Sequence, residues 1–239
     1  MIDRRGVLGM VALSGLAATA KAAPPQDAAE VRLREDWPWL ARYAADNRRL
    51  IDGRGRVDIV FMGDSITEGW RDKRPGFFGA GRVGRGIGGQ TTPQMLLRMM
   101  PDVIALKPRA VHIMAGTNDI AGNTGPMTPA MTRDNIAAMA TLARANGLQV
   151  MLASIPPAAN FPWRPGLETR APIAAHNAWI RDYAVKTGAT WVDYHPALAT
   201  RDGAMRPGLA SDGVHPTEAG YDAMAATLVP VLRRLRLTT

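Results

Sequence analysis

Short apolar runs alternate with long helix-like stretches along most of this chain, and that alternation constrains its fold more than any other feature. The runs fall at 57–62, 82–87, 110–115, 148–154 and 190–192. Helical patterns fill 93–100, 129–146, 169–186 and 217–235, with Gly147 where a helix C-cap is expected. An amphipathic opening helix or helix pair, interrupted by Pro38, precedes them over 28–50. Strands joined by crossovers of ten or more residues pair in parallel, and a parallel sheet needs helices on both faces. The pattern therefore predicts an α/β fold: a three-layer α/β/α sandwich around a five-stranded parallel sheet.

At 239 residues and 46% hydrophobic content the chain suits one such unit. No repeat or linker divides residues 23–239, which are expected to form a single domain. The net charge of +8 raises the question of a nucleic-acid partner, but the basic residues are scattered and include only four lysines, so none is expected. There is no cysteine, which removes disulfides, thiolate metal ligands and a thiol nucleophile together. The first 22 residues read as an export signal: Arg4 and Arg5 precede an apolar stretch over 7–18, and Ala20-Lys21-Ala22 has the small-residue pattern of a cleavage site. The paired arginines suggest a twin-arginine route. The apolar stretch falls short of the roughly 20 residues that span a bilayer. A periplasmic or secreted protein beginning near Ala23, without stable membrane insertion, is expected.

Open parallel sheets place their sites beyond the carboxyl ends of the strands. Among four serines, Ser65 follows the first strand directly, in Gly63-Asp64-Ser65, where a tight turn and a helix starting near Thr67 would activate a nucleophile. Helix capping is the alternative role for a serine there. Of the four histidines, His112 lies mid-strand and reads as core, while His176 and His195 have ordinary packing explanations. His215 lies in the irregular loop Asp212-Gly213-Val214-His215-Pro216. A carboxylate three residues before a histidine can reach Nδ1 within one turn and leave Nε2 facing outward. A capped turn is the alternative reading of that loop.

Taken jointly, these segments resemble the SGNH (GDSL-like) hydrolases. Gly63-Asp64-Ser65-Ile66-Thr67-Glu68-Gly69 is similar to that family's first motif block, Ile87-Gly88-Gly89-Gln90-Thr91 to its second, Gly116-Thr117-Asn118-Asp119 to its third and Asp212-Gly213-Val214-His215 to its fifth. The first block departs from the pattern in having Ile-Thr where the family has Leu, which leaves the serine untouched. The resemblance implies a flavodoxin-like sandwich and a triad of Ser65, Asp212 and His215. It also implies an oxyanion hole made by the backbone N–H groups of Ser65 and Gly89 and the side-chain amide of Asn118. Such a site needs no metal or organic cofactor, and none is expected.

The segment 154–166, stiffened by four prolines, follows the fourth strand and should wall the site. Trp163 within it and Trp70 after the first block are candidate substrate contacts that could stack on a sugar or line an acyl pocket, or else anchor loops. The absence of a long apolar lid favours a short acyl group such as acetyl, with a small-molecule or carbohydrate ester as substrate. The resemblance equally covers lysophospholipases and thioesterases. A catalytically silent, exported glycan-binding protein is the alternative of another class.

Overall fold

The structure, a computed structural model, describes residues 28–79 and 81–237. The predicted export signal and its cleavage point at Ala22 lie outside the described residues. Five strands, β1 (Ile59–Gly63), β2 (Arg82–Gly86), β3 (Ala110–Met114), β4 (Gln149–Ala153) and β5 (Thr190–Val192), form one parallel sheet in the order β2-β1-β3-β4-β5. All five residues of β1 and of β3 are buried, as a strand covered on both faces requires. The predicted sandwich is therefore the observed one, with helices against both sides of the sheet.

The opening segment forms two helices, α1 (Ala28–Glu35) and α2 (Ala41–Asp52). The turn between them contains Pro38, and the Asp36 carboxylate accepts from the N–H groups of Leu40 and Ala41 to start α2. Helix α3 (Ser65–Lys73) leaves β1, and α4 (Thr92–Asp102) connects β2 to β3. The short α5 (Thr117–Ala121) and the long α6 (Pro129–Ala145) lead to β4, α7 (Arg170–Thr187) to β5, and α8 (His195–Leu198) and α9 (Glu218–Arg234) close the chain.

The ladder register decides where the loops emerge. Gly63 pairs with Gly86 on one side and Met114 on the other, so β1, β2 and β3 end level with one another. The segments following all three strands therefore issue from one edge of the sheet. Crossovers leave β1 toward β2 in one direction and reach β3 in the other, which opens a crevice at the switch between β1 and β3.

Two packed clusters hold this edge. Trp70 on α3 is fully buried, stacked on Phe77 and Tyr221 with Phe61 edge-on. This corrects the expectation that Trp70 contacts substrate. It sits five residues, about 140° around the helix, from Ser65, so the turn that presents the serine outward drives the indole into the core. The second cluster is polar: Arg98 and Asp102 of α4, both fully buried, form an ion pair of 2.9 Å. Arg98 also donates to the Arg85 carbonyl, while Asn47 donates to Asp102 and accepts from Arg85.

Candidate active site

Gly63 ends β1 where a β-carbon would stand 2.1 Å from the Thr67 hydroxyl and 2.9 Å from the Met114 carbonyl, so only glycine permits this turn. The capping role falls to Asp64, whose side chain accepts from the Ile66 N–H. Ser65 is then the first residue of α3, and the helix starts two residues earlier than Thr67. Freed from capping, the Ser65 hydroxyl lies 2.9 Å from Nε2 of His215. Nδ1 of His215 lies 2.7 Å from Oδ2 of Asp212. The other oxygen of Asp212 accepts from the backbone N–H groups of Val214 and His215, with Gly213 at φ 83° closing the curl. Burial alone would raise the Asp212 pKa, but the hydrogen bonds from His215 and Val214 outweigh it and hold the carboxyl below its usual value.

The loop is braced from both ends. The Ser211 N–H donates to the His215 carbonyl, and Lys73, at the far end of α3, donates to the Pro216 carbonyl at 2.9 Å. The helix that carries the serine thus also steadies the loop that carries the histidine.

Beside Ser65, the turn after β2 runs through Gly88 and Gly89. Gly89 has φ 75°, and a β-carbon there would meet no atom within 4 Å. Glycine is favoured at this position by backbone conformation, and the residue borders open space where a substrate can approach. The Gly88 N–H donates to Glu68 at 2.8 Å, and Glu68 in turn pairs with Arg42 at 3.0 Å. Asn118, buried at the start of α5, donates from Nδ2 to the Gln90 carbonyl at 3.0 Å and accepts at Oδ1 from Asn123 at 2.8 Å. This pair of bonds fixes the amide in orientation and ties the turn after β3 to the turn after β2. Asp119 completes the tie by accepting from the backbone N–H and the hydroxyl of Thr92 and from the Thr132 hydroxyl.

Trp163 lies beside His215. It is 37% exposed, stacks on Phe161, and its ring centroid lies 5.8 Å from that of His215. Its indole N–H donates to Asn123, which therefore links the tryptophan to Asn118. Trp163 and the Gly88-Gly89 turn border a cleft of about 320 Å³. The remaining histidines have other partners. Nε2 of His112 lies 2.9 Å from the Tyr194 hydroxyl, and burial pulls its pKa down to about 3. His176 is buried on α7 and pulled to about 4, and His195 contacts Asn177 and the Ile155 carbonyl. Among the described residues no group of His, Cys, Asp and Glu is arranged to hold a metal ion.

Glu68, Asn123 and Asp64 were not singled out by sequence reasoning, although Glu68 and Asp64 lie inside the first motif block. Glu68 reaches Gly88 and Asn123 reaches Trp163 across 20 and 40 residues, where spacing carries no signal, whereas Asp64 caps its own turn through Ile66.

Asp64 has a measurable signature. Complete burial, only partly offset by the Ile66 N–H and the nearby His215, raises its pKa to about 6. A carboxyl raised from 3.8 binds more protons folded than unfolded between pH 4 and 6, so it subtracts stability as pH rises through that window. The cost above pH 6 is about 3 kcal/mol, at about 1.4 kcal/mol per pKa unit. Asp64→Asn keeps the capping oxygen and removes the charge. Its melting temperature relative to wild type is expected to rise between pH 4 and 6 and then level off. A difference that is flat with pH would show that Asp64 is not held at a raised pKa.

The family model for GDSL-like lipases and acylhydrolases matches residues 61–223, a stretch that contains Ser65, Gly89, Asn118, Asp212 and His215. The chain belongs to the GDSL-like lipase/acylhydrolase family. A GDSL-like lipase from Bacteroides thetaiotaomicron VPI-5482 superposes with a TM-score of 0.78 at 43% identity, over 84% of this chain and 100% of that one. A Bacteroides fragilis NCTC 9343 protein, provisionally described as an acylhydrolase, gives 0.80 at 42% identity over 85% of this chain and 100% of its own. The uncharacterized lipoprotein YqeF of Bacillus subtilis (strain 168) is 39% identical over 85 residues, 29% of this chain and 35% of that protein. Helices α1 and α2 precede the stretch that the family model covers.

Proposed function

We propose that this GDSL-like family member is an exported serine esterase acting on short acyl groups, such as acetyl, carried by a carbohydrate. The observation that carries the reading is the relay of 2.9 and 2.7 Å from Ser65 through His215 to Asp212. In this reading His215 accepts the Ser65 proton as Oγ attacks the ester carbonyl. The oxyanion develops against the N–H groups of Ser65 and Gly89 and the Asn118 amide, and His215 then protonates the departing alcohol. Asp212 keeps Nδ1 protonated and stabilises the imidazolium. Water repeats the sequence on the acyl-enzyme and releases the acid.

The short-acyl reading rests on the modest cleft, bordered by glutamine, asparagine and threonine as well as tryptophan. Export rests on the N-terminal signal pattern, with a periplasmic or secreted destination by the twin-arginine route. One sheet joins all the described strands, which supports a single hydrolase domain from about Ala23 onward. The test is a series of p-nitrophenyl esters of increasing chain length, run beside O-acetylated sugars. Catalytic efficiency is expected to peak at acetyl or propionyl. A maximum at octanoyl or longer would refute the short-acyl assignment.

A further inference from the structure

Part of the cleft wall is built by residues that precede the stretch matched by the family model. Trp39, between α1 and α2, has φ 54°, a conformation that bulky side chains rarely adopt. It is held there from several directions. Gln94 donates to the Trp37 carbonyl at 2.8 Å, Gln90 to the Pro38 carbonyl at 2.7 Å, and Asp36 caps the residues that follow. Backbone forced into such a region by surrounding bonds concentrates at binding sites. The two glutamines belong to the turn after β2 and to α4, so the strained indole is tied to the same turn that carries Gly89.

Charge distinguishes this wall. The Arg32 guanidinium lies over the Trp39 ring, 4.6 Å from its centroid, and Arg32 borders the cleft. Among the described residues no carboxylate pairs with Arg32 and no acidic side chain borders the cleft. Arg42 stands 5.3 Å from the same indole, but it is engaged by Glu68. A guanidinium held over an indole has lost part of its freedom, so it can take a carboxylate through two parallel hydrogen bonds with less further ordering. Trp163, which borders the same cleft, offers a second flat apolar surface with its ring centroid 5.8 Å from that of His215.

We propose that Arg32, Trp39 and Trp163 form a subsite for a sugar ring bearing a carboxylate, so that the substrate is an O-acylated acidic glycan. The carboxylate pairs with Arg32, and the ring packs between the indoles while its ester carbonyl reaches Ser65. The assignment rests on the serine-esterase reading above and adds to it the class of alcohol.

The test compares O-acetylated methyl glucuronide, O-acetylated methyl glucoside and p-nitrophenyl acetate as substrates for the wild type, Arg32→Ala, Arg32→Lys and Ser65→Ala. The wild type is expected to favour the glucuronide over the glucoside by about tenfold in kcat/KM, as one charge-assisted contact allows. In Arg32→Ala that ratio falls to near one, chiefly through KM, and Arg32→Lys recovers only part of it because an ammonium lacks the planar fork. A wild-type ratio near one, a ratio unchanged in Arg32→Ala, or faster cleavage of lysophosphatidylcholine than of the glucuronide would each overturn the subsite. So would acetylated sugars that resist hydrolysis while p-nitrophenyl acetate is cleaved. These outcomes leave the esterase reading standing provided Ser65→Ala loses p-nitrophenyl acetate hydrolysis. If Ser65→Ala retains it, the esterase reading itself falls.

Discussion

Ser65→Ala is expected to lower kcat for p-nitrophenyl acetate by about 10⁶-fold, the scale found when a serine hydrolase loses its nucleophile. In the proposed reaction the hydroxyl, 2.9 Å from Nε2 of His215, is the attacking group, and alanine offers the histidine nothing to deprotonate. Stability should hardly change. Ser65 is not the helix cap, since Asp64 fills that position, and alanine suits the first turn of α3. A melting temperature within about 2 °C of wild type is therefore expected together with the activity loss, which separates chemistry from folding. Because the three residues act as a unit, adding His215→Ala to Ser65→Ala should lower the rate little further. Asp212→Asn alone should lower it by about 10⁴, through the wrong imidazole tautomer. Substantial turnover by Ser65→Ala, in a preparation free of other esterases, would reject the assignment of Ser65 as nucleophile.

Arg98→Ala should produce the largest loss of stability, about 3–5 kcal/mol, because it leaves the Asp102 carboxylate buried without its counter-ion. For a chain of this size that corresponds to a fall of roughly 6–20 °C in melting temperature. The same guanidinium donates to the Arg85 carbonyl, near the carboxyl end of β2, just before the turn that carries Gly89. Some loss of catalytic efficiency at temperatures where the variant is folded is therefore also expected. The control is the pair Arg98→Met with Asp102→Leu, which removes both charges at similar volume. It should recover much of the stability, since a buried ion pair is costly mainly when half of it is missing. If Arg98→Ala melts within a degree or two of wild type, the pair does not hold this edge of the sheet.

The sequence by itself determined the order of strands and longer helices, the parallel sheet and the short-range part of the site, but not the short helices α5 and α8. Apolar period and crossover length act locally or through general sheet sterics, so they are legible without coordinates. The contact of Asp212 with His215 was legible for the same reason, because three residues and a glycine suffice to bring a carboxylate to an imidazole. Ser65 meets His215 across 150 residues, and nothing in their spacing shows that contact; only the shared motif pattern pointed to it. Tertiary structure alone decided the fate of the two tryptophans. Trp70 and Trp163 looked alike as candidates, yet the rotation of α3 buries one in an aromatic cluster while the loop after β4 leaves the other facing His215. It also brought Glu68 to Gly88, Trp163 to Asn123, and Arg32 with Trp39 to the cleft mouth. The physical reason is common to all three. Which face of a helix or turn meets its neighbour is set by packing and register between elements far apart in the chain, and residue identity along a single segment does not encode it.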